Sequence, residues 1–207
     1  MILLPVNPTD KIEEHQLKNV GAVEANESDR RELFAKSYLR SQGFFTDNNI
    51  NQITKNNLQL PLLTYPFIDY LLSADLSGRN LVELGSGNST VLFSKLFSSV
   101  ISYETDTTWL EQTKNKVGIN TEIRHIAKED LESAQFNLED IDCLLVDFAG
   151  KRTKFLENYL RKVVRKAPVI FLDNSDMYRN GVRLLMKAGY QEIPFYGLKS
   201  GQTWLSC

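Results

Sequence analysis

LVELGSGNST, Leu81 to Thr90, changes character halfway along. Its first half is an apolar, strand-forming run. Its second half is small and hydroxyl-bearing, and VLFSKLF at 91–97 takes up helical spacing. Two glycines, Gly85 and Gly87, let a chain turn sharply out of a strand and leave main-chain N–H groups bare, while Ser89 or Thr90 can cap the helix that follows. A strand, a glycine turn and a helix N-terminus form a ligand-facing unit, because the first N–H groups of the helix have no partner inside it. The bland alternative is a tight strand-to-helix turn with no ligand.

Outward from this stretch, short apolar runs alternate with amphipathic ones. NLVEL precedes STVLFSKLFSS, VISYE precedes TTWLEQTKNKV, EIRHI precedes KEDLESAQF, DCLLVDF precedes KRTKFLENYLRKVV, and PVIFLDN precedes YRNGVRLLMKAG. Strand-helix alternation with wholly apolar strands predicts a parallel sheet covered on both faces. YQEIPFYGL and GQTWLSC, joined by a short turn, predict an antiparallel hairpin at one edge. The expected fold is therefore α/β: a Rossmann-like, doubly wound, seven-stranded, mostly parallel sheet ending in an antiparallel hairpin strand.

Before Asn80 the pattern is different. Residues 1–27 are polar and weakly patterned, as in an arm that orders against something else. SDRRELFAKSYLRSQGFF, from Ser28, predicts a helix stopped by Gly43. TDNNINQITKNN at 46–57 predicts a shorter helix, and TYPFIDYLLSADLSG predicts a third, capped by Thr64 with Pro66 in its first turn. The expected division is an arm and helical cap over 1–79 and a Rossmann-like domain over 80–207.

The 207 residues suffice for one good-sized core. A net charge of −2 supplies no field to hold a nucleic-acid backbone or an anionic membrane, so a small-molecule partner is expected. Two cysteines, Cys143 and Cys207, give no disulfide framework or metal-ligand spacing. The opening residues do not read as a signal peptide and no run is long enough to span a membrane. A cytoplasmic location fits these features.

In a doubly wound sheet, ligands sit beyond the strands' carboxyl ends where the strand order reverses, and GSGNST occupies that place. The next strand ends in Glu104, 21 positions after Glu83, near the spacing at which a carboxylate accepts hydrogen bonds from a ribose. A nucleoside is expected. The dinucleotide fingerprint G-x-G-x-x-G would need glycine at Thr90, and it gives no role to Glu83.

VELGSGNST resembles motif I, E-x-G-x-G-x-[GS], of the class I S-adenosylmethionine-dependent methyltransferases, with Ser89 where many members carry a third glycine. The resemblance covers residues 61 to 207. More narrowly, ELGSGNST, DN and FYG are similar to small bacterial methyltransferases of undefined substrate. The resemblance implies S-adenosylmethionine as cofactor. It implies that the loop of Gly85, Ser86 and Gly87 holds the methionine part, that Ser89 is among the cofactor-binding residues, that Glu83 lies beneath the loop and that Glu104 holds the ribose. Adenine would fall near Glu129 or Asp130, although AKEDLES matches the family poorly.

The resemblance also implies that Asp147, at the end of CLLVD, falls at the fourth-strand position bordering the methyl group and that Asp173 falls at the end of the fifth strand. Both are catalytic candidates, since a strand-end carboxylate can orient a substrate or take a proton. The bland alternative for Asp147 is a helix-capping acid. Asp147, Asp173 and Asn174 also resemble the magnesium site of catechol-type O-methyltransferases, which implies Mg2+ there, except that Gly150 stands where those enzymes carry a lysine. The basic run GKRTKFLENYLRKVVRK, with Phe155, Tyr159, Val163 and Val164 on one face, reads as a solvated helix face. His15 and His125 have no partners that suggest a triad, and Tyr65 reads as packing. Oxygen is the expected methyl acceptor. A nicotinamide-dependent oxidoreductase and a catalytically idle binding protein on the same fold are the alternatives.

Overall fold

Each of the five apolar runs from Asn80 to Leu172 forms a strand, and each amphipathic run that follows one contains a helix. The computed structural model describes residues 37–39, 54–55, 58–138, 141–162, 167–200 and 205–207. In chain order the elements are β1 (Thr54–Lys55), β2 (Leu58–Gln59), α1 (Tyr65–Ser73), β3 (Asn80–Leu84), α2 (Asn88–Leu96), β4 (Ser99–Glu104) and α3 (Thr107–Lys114). They continue with β5 (Thr121–His125), α4 (Lys128–Glu132), β6 (Cys143–Val146), α5 (Arg152–Leu160), β7 (Val169–Leu172) and α6 (Arg179–Lys187).

Five strands make one parallel sheet in the order β5-β4-β3-β6-β7. The chain winds outward from β3 through β4 to β5, then crosses back to β6 and β7, so the order reverses between β3 and β6. Side chains alternate between the two faces. Leu81, Val100, Cys143 and Leu145 pack with Tyr65, Ile68 and Leu71 of α1 and with Phe93 of α2. Val82, Leu84, Leu144 and Val146 pack on the other side with Leu131, Phe155 and Tyr159. Burying each large apolar side chain contributes about 1.5–3 kcal/mol, and a one-residue slip would exchange the faces, so register is strongly specified.

The described part of the run at 46–57 is not helical. Thr54 and Lys55 pair antiparallel with Leu58 and Gln59. Thr54 is β-branched and the two residues between the strands are both asparagine, which suits a ribbon better than a helix. Of the expected first helix, Ser37–Leu39 is described and is helical, with the Tyr38 hydroxyl donating to Asp69 Oδ2 at 2.8 Å. The rest of that run and the arm over 1–27 lie outside the described residues, as do Val163 and Val164.

The expected seven strands are five among the described residues. Of the hairpin they contain one antiparallel bridge, Gly197 to Ser206, with N–H···O bonds of 3.0 and 2.9 Å; residues 201–204 lie outside them. The segment between α6 and that bridge also reaches α1: Tyr65 N–H donates to Leu198 O at 3.0 Å, and Thr64 Oγ1, instead of capping α1, donates to Phe195 O at 2.8 Å. No described helix is long and apolar enough to cross a membrane.

Candidate functional site

The loop that leaves β3 is built on a buried acid. Glu83 has no exposed surface, and its two oxygens accept from Ser89 Oγ at 2.5 Å and Thr90 Oγ1 at 2.6 Å, at the start of α2. Thr90 Oγ1 in turn accepts from Gly87 N–H at 2.8 Å and closes the first turn. No cation is among these partners, so burial raises the Glu83 carboxyl to about 7, against the pull of the two hydroxyls.

The two glycines serve different ends. Gly85 has φ +96°, and a Cβ there would lie 2.3 Å from the Asp147 carbonyl oxygen. The loop is thus pressed against the end of β6, and glycine is required by the fold itself. Gly87 has an extended backbone that any residue adopts, and a Cβ there would meet the Trp109 indole at an ordinary 3.5 Å. Neither conformation nor protein crowding explains a glycine at 87. A cavity of about 120 Å³ borders it, lined also by Trp109, Gln112 and Thr113.

Glu104 stands at the end of β4, beside the loop. Its Oε2 accepts from Ser86 N–H at 2.7 Å and Ser86 Oγ at 3.0 Å; its Oε1 accepts from Thr105 N–H at 2.7 Å and Asp106 N–H at 2.9 Å. All four good acceptor positions are taken. Trp109 Nε1 donates to Ser86 O, so the indole braces the same loop residue from α3.

Across the reversal point, Asp147 and Asp173 end β6 and β7. Arg152, on the first turn of α5, reaches both. Its Nη2 donates to Asp147 Oδ1 at 2.7 Å, its Nη1 to Asp173 O at 2.6 Å and its Nε to Phe148 O at 2.9 Å; Nη1 lies 3.9 Å from Asp173 Oδ2. The Tyr178 ring lies under the guanidinium, 5.0 Å from its centroid. Asp173 is chelated by Lys199, whose Nζ donates to Oδ1 at 2.8 Å and to Oδ2 at 2.7 Å. Asp147 alone of the pair keeps an open face, with 24% of its side chain exposed. Burial and the nearby Asp173 charge raise the Asp147 pKa, opposed by Arg152 and Lys199.

These contacts decide the magnesium question. Asn174 has φ +55°, which asparagine tolerates, and this turns its amide back toward Asp173. Oriented to satisfy its neighbours, it donates from Nδ2 to Asp173 Oδ2 at 2.7 Å and accepts at Oδ1 from Ser206 Oγ at 3.1 Å and Lys199 Nζ at 3.0 Å. The oxygens that would coordinate Mg2+ are bound by an ammonium and a guanidinium, so Asp147, Asp173 and Asn174 do not fit the ion. Among the described residues no group of three His, Cys, Asp or Glu could hold a metal.

The structure therefore brings Glu83, Gly85, Ser86, Gly87, Ser89 and Glu104 together on one side of the reversal point and Asp147 and Asp173 on the other. Asp130 and Glu129 are exposed on the first turn of α4, and Tyr65 is buried in the core. His125 is exposed on β5, opposite Glu104 in register; His15 lies outside the described residues. Arg152 and Lys199 were not foreseen. The solvated-face reading holds for Lys151, Lys154, Arg161 and Lys162 but fails for Arg152, which is buried. A clue was its place five residues after Asp147, at the start of a helix whose first turn faces the strand end. Lys199, in a polar turn, carried no such signal.

No family model matches the chain, and no curated protein sequence matches it. Solved structures do. A precorrin 8W decarboxylase from Methanobacterium thermoautotrophicum is 16% identical over 68% of this chain and 80% of its own, with a TM-score of 0.49. Aeropyrum pernix fibrillarin with natively bound S-adenosyl-L-methionine is 16% identical over 64% and 66%, with a TM-score of 0.48. A SAM-dependent methyltransferase from Aquifex aeolicus is 16% identical over 67% and 85%, with a TM-score of 0.42. Of three other matches this chain spans half the length or less. Identity and superposition at this level assign no chemistry, so the fold rests on strand order and register, and the functional reading rests on the site.

Proposed function

We propose that the chain is an S-adenosylmethionine-dependent methyltransferase acting on a small molecule or sugar, through oxygen. One observation carries this reading: Gly87 is bare for no reason internal to the protein, at a helix N-terminus flanked by Glu104 on one neighbouring strand and Asp147 on the other. Unobstructed main chain suits an amino-acid moiety, and a strand-tip carboxylate suits a ribose. When bound, the sulfonium supplies a methyl group open to in-line displacement.

The chain's residues then have three tasks. The loop from Gly85 to Gly87, held from below by Glu83, Ser89 and Thr90, positions the donor. Glu104 exchanges its bonds from Ser86 for bonds from ribose hydroxyls. Asp147, with one oxygen fixed by Arg152 and its other edge open, orients the acceptor hydroxyl and takes its proton as the oxygen attacks, a role helped by a raised pKa. Asp173 acts behind it, as a partner of Arg152. Residues 28–79 help choose the acceptor.

Calorimetric titration with S-adenosylhomocysteine tests the proposal. Micromolar binding is expected, weakened roughly 10- to 100-fold in Glu104→Ala, the loss of hydrogen bonds to a charged acceptor. A folded chain that takes up NADH and ignores S-adenosylhomocysteine would refute it.

A further inference from the structure

We propose that Lys199 is a built-in counter-cation standing where a divalent ion would otherwise balance the strand-end carboxylates, so that the Asp147–Asp173 site works without a metal. Two carboxylates and an amide oxygen converge there from the ends of adjacent strands, an all-oxygen set of the kind hard cations favour. Lys199 answers one of those carboxylates and the amide with all three of its N–H groups, two to Asp173 and one to Asn174 Oδ1, at 2.8, 2.7 and 3.0 Å, while Asp147 is held by Arg152. It is 2% exposed. An isolated ammonium is not buried so deeply, because the lost hydration is regained only when each donor finds an acceptor and the charge is matched.

The backbone around Lys199 is anchored as well. Lys199 forms an antiparallel bridge with Thr64, and the preceding carbonyl, Leu198 O, accepts from Tyr65 N–H. The cation is thereby attached to the N-terminus of α1, a position a mobile surface lysine would not have. Arg152 supplies the second positive charge. Together with Asp147 and Asp173 it completes an alternating row, Lys199, Asp173, Arg152, Asp147, with two charges of each sign. A divalent ion added to this row would meet two cations at contact range and no unshared carboxylate pair.

The inference stands apart from the methyltransferase reading, because its test needs no nucleoside and no acceptor. The full chain is titrated with Mn2+ and followed by electron paramagnetic resonance, as wild type, Lys199→Met and Lys199→Arg. Wild type and Lys199→Arg are expected to bind no stoichiometric Mn2+ at this site. Lys199→Met, which keeps the length and loses the charge, is expected to gain one site at least tenfold tighter, abolished in Asp173→Asn/Lys199→Met. If Lys199→Met folds poorly, Mn2+ or Mg2+ should raise its melting temperature, and the double variant should regain stability without metal. Stoichiometric Mn2+ on wild type that disappears in Asp173→Asn would overturn the proposal. So would a folded Lys199→Met that binds no more Mn2+ than wild type.

Discussion

The two sides of the strand reversal bury carboxylates by opposite means. On the loop side, Glu83 is surrounded by hydroxyls and apolar side chains, and burial favours its protonated form near neutral pH. On the tail side, Asp147 and Asp173 face Arg152 and Lys199, and the charges are matched in a row. The first arrangement is local, made within eight residues of chain. The second joins β6, α5, β7 and the segment after α6. One side of the reversal point is thus floored by an acid whose charge burial disfavours, and the other is walled by carboxylates held by paired cations.

Breaking the tail side should have the largest effect. Arg152→Met removes one partner of a buried ionic row and leaves two carboxylates under-compensated, a change expected to destabilise by about 3–5 kcal/mol. Chemical denaturation would register this, and a loss below about 1 kcal/mol would mean that the row is a surface network of little weight.

The loop side should be sensitive to pH instead. The unfolded Glu83 carboxyl titrates near its ordinary 4.5, and the folded one near 7. Between these values the unfolded chain releases a proton that the folded chain keeps, so stability falls as pH rises from about 4.5 to about 7 and levels off above. The contribution is roughly 3 kcal/mol. Glu83→Gln should flatten that part of the stability profile; Asp147 shifts in the same direction, so the wild-type minus variant difference is the informative quantity.

The glycines sharpen the comparison with a smaller effect. Gly85→Ala adds a methyl against the Asp147 backbone at positive φ and should cost about 2–3 kcal/mol. Gly87→Ala should cost less than about 1 kcal/mol while weakening S-adenosylhomocysteine binding. Equal stability losses at the two positions would mean that Gly87 is structural after all, and would remove the observation on which the proposed function rests.

Much of this was legible in the chain itself. The strand-helix alternation after Asn80 and the glycine turn depend on contacts within a few residues, so local propensity and spacing sufficed to find β3, α2 and the reversal point. Glu104 could be singled out by its spacing from the glycine turn, whereas Glu83 and Asp147 stood out only through the resemblance of VELGSGNST and CLLVD to a methyltransferase pattern. The 46–57 run misled because asparagine and lysine suit an exposed helix nearly as well as a two-residue turn, and pairing with Leu58 and Gln59 tipped the balance.

Tertiary structure alone decided the electrostatics. Lys199 and Asp173 are 26 residues apart, and Arg152 and Asp173 are 21 apart. Nothing in the sequence around a lysine in a polar turn tells whether its ammonium ends in water or between two carboxylate oxygens. The reason is range: backbone preference and hydrophobic period act over a handful of residues, whereas a buried charge chooses its partner by distance in space, after the sheet has brought the strand ends together.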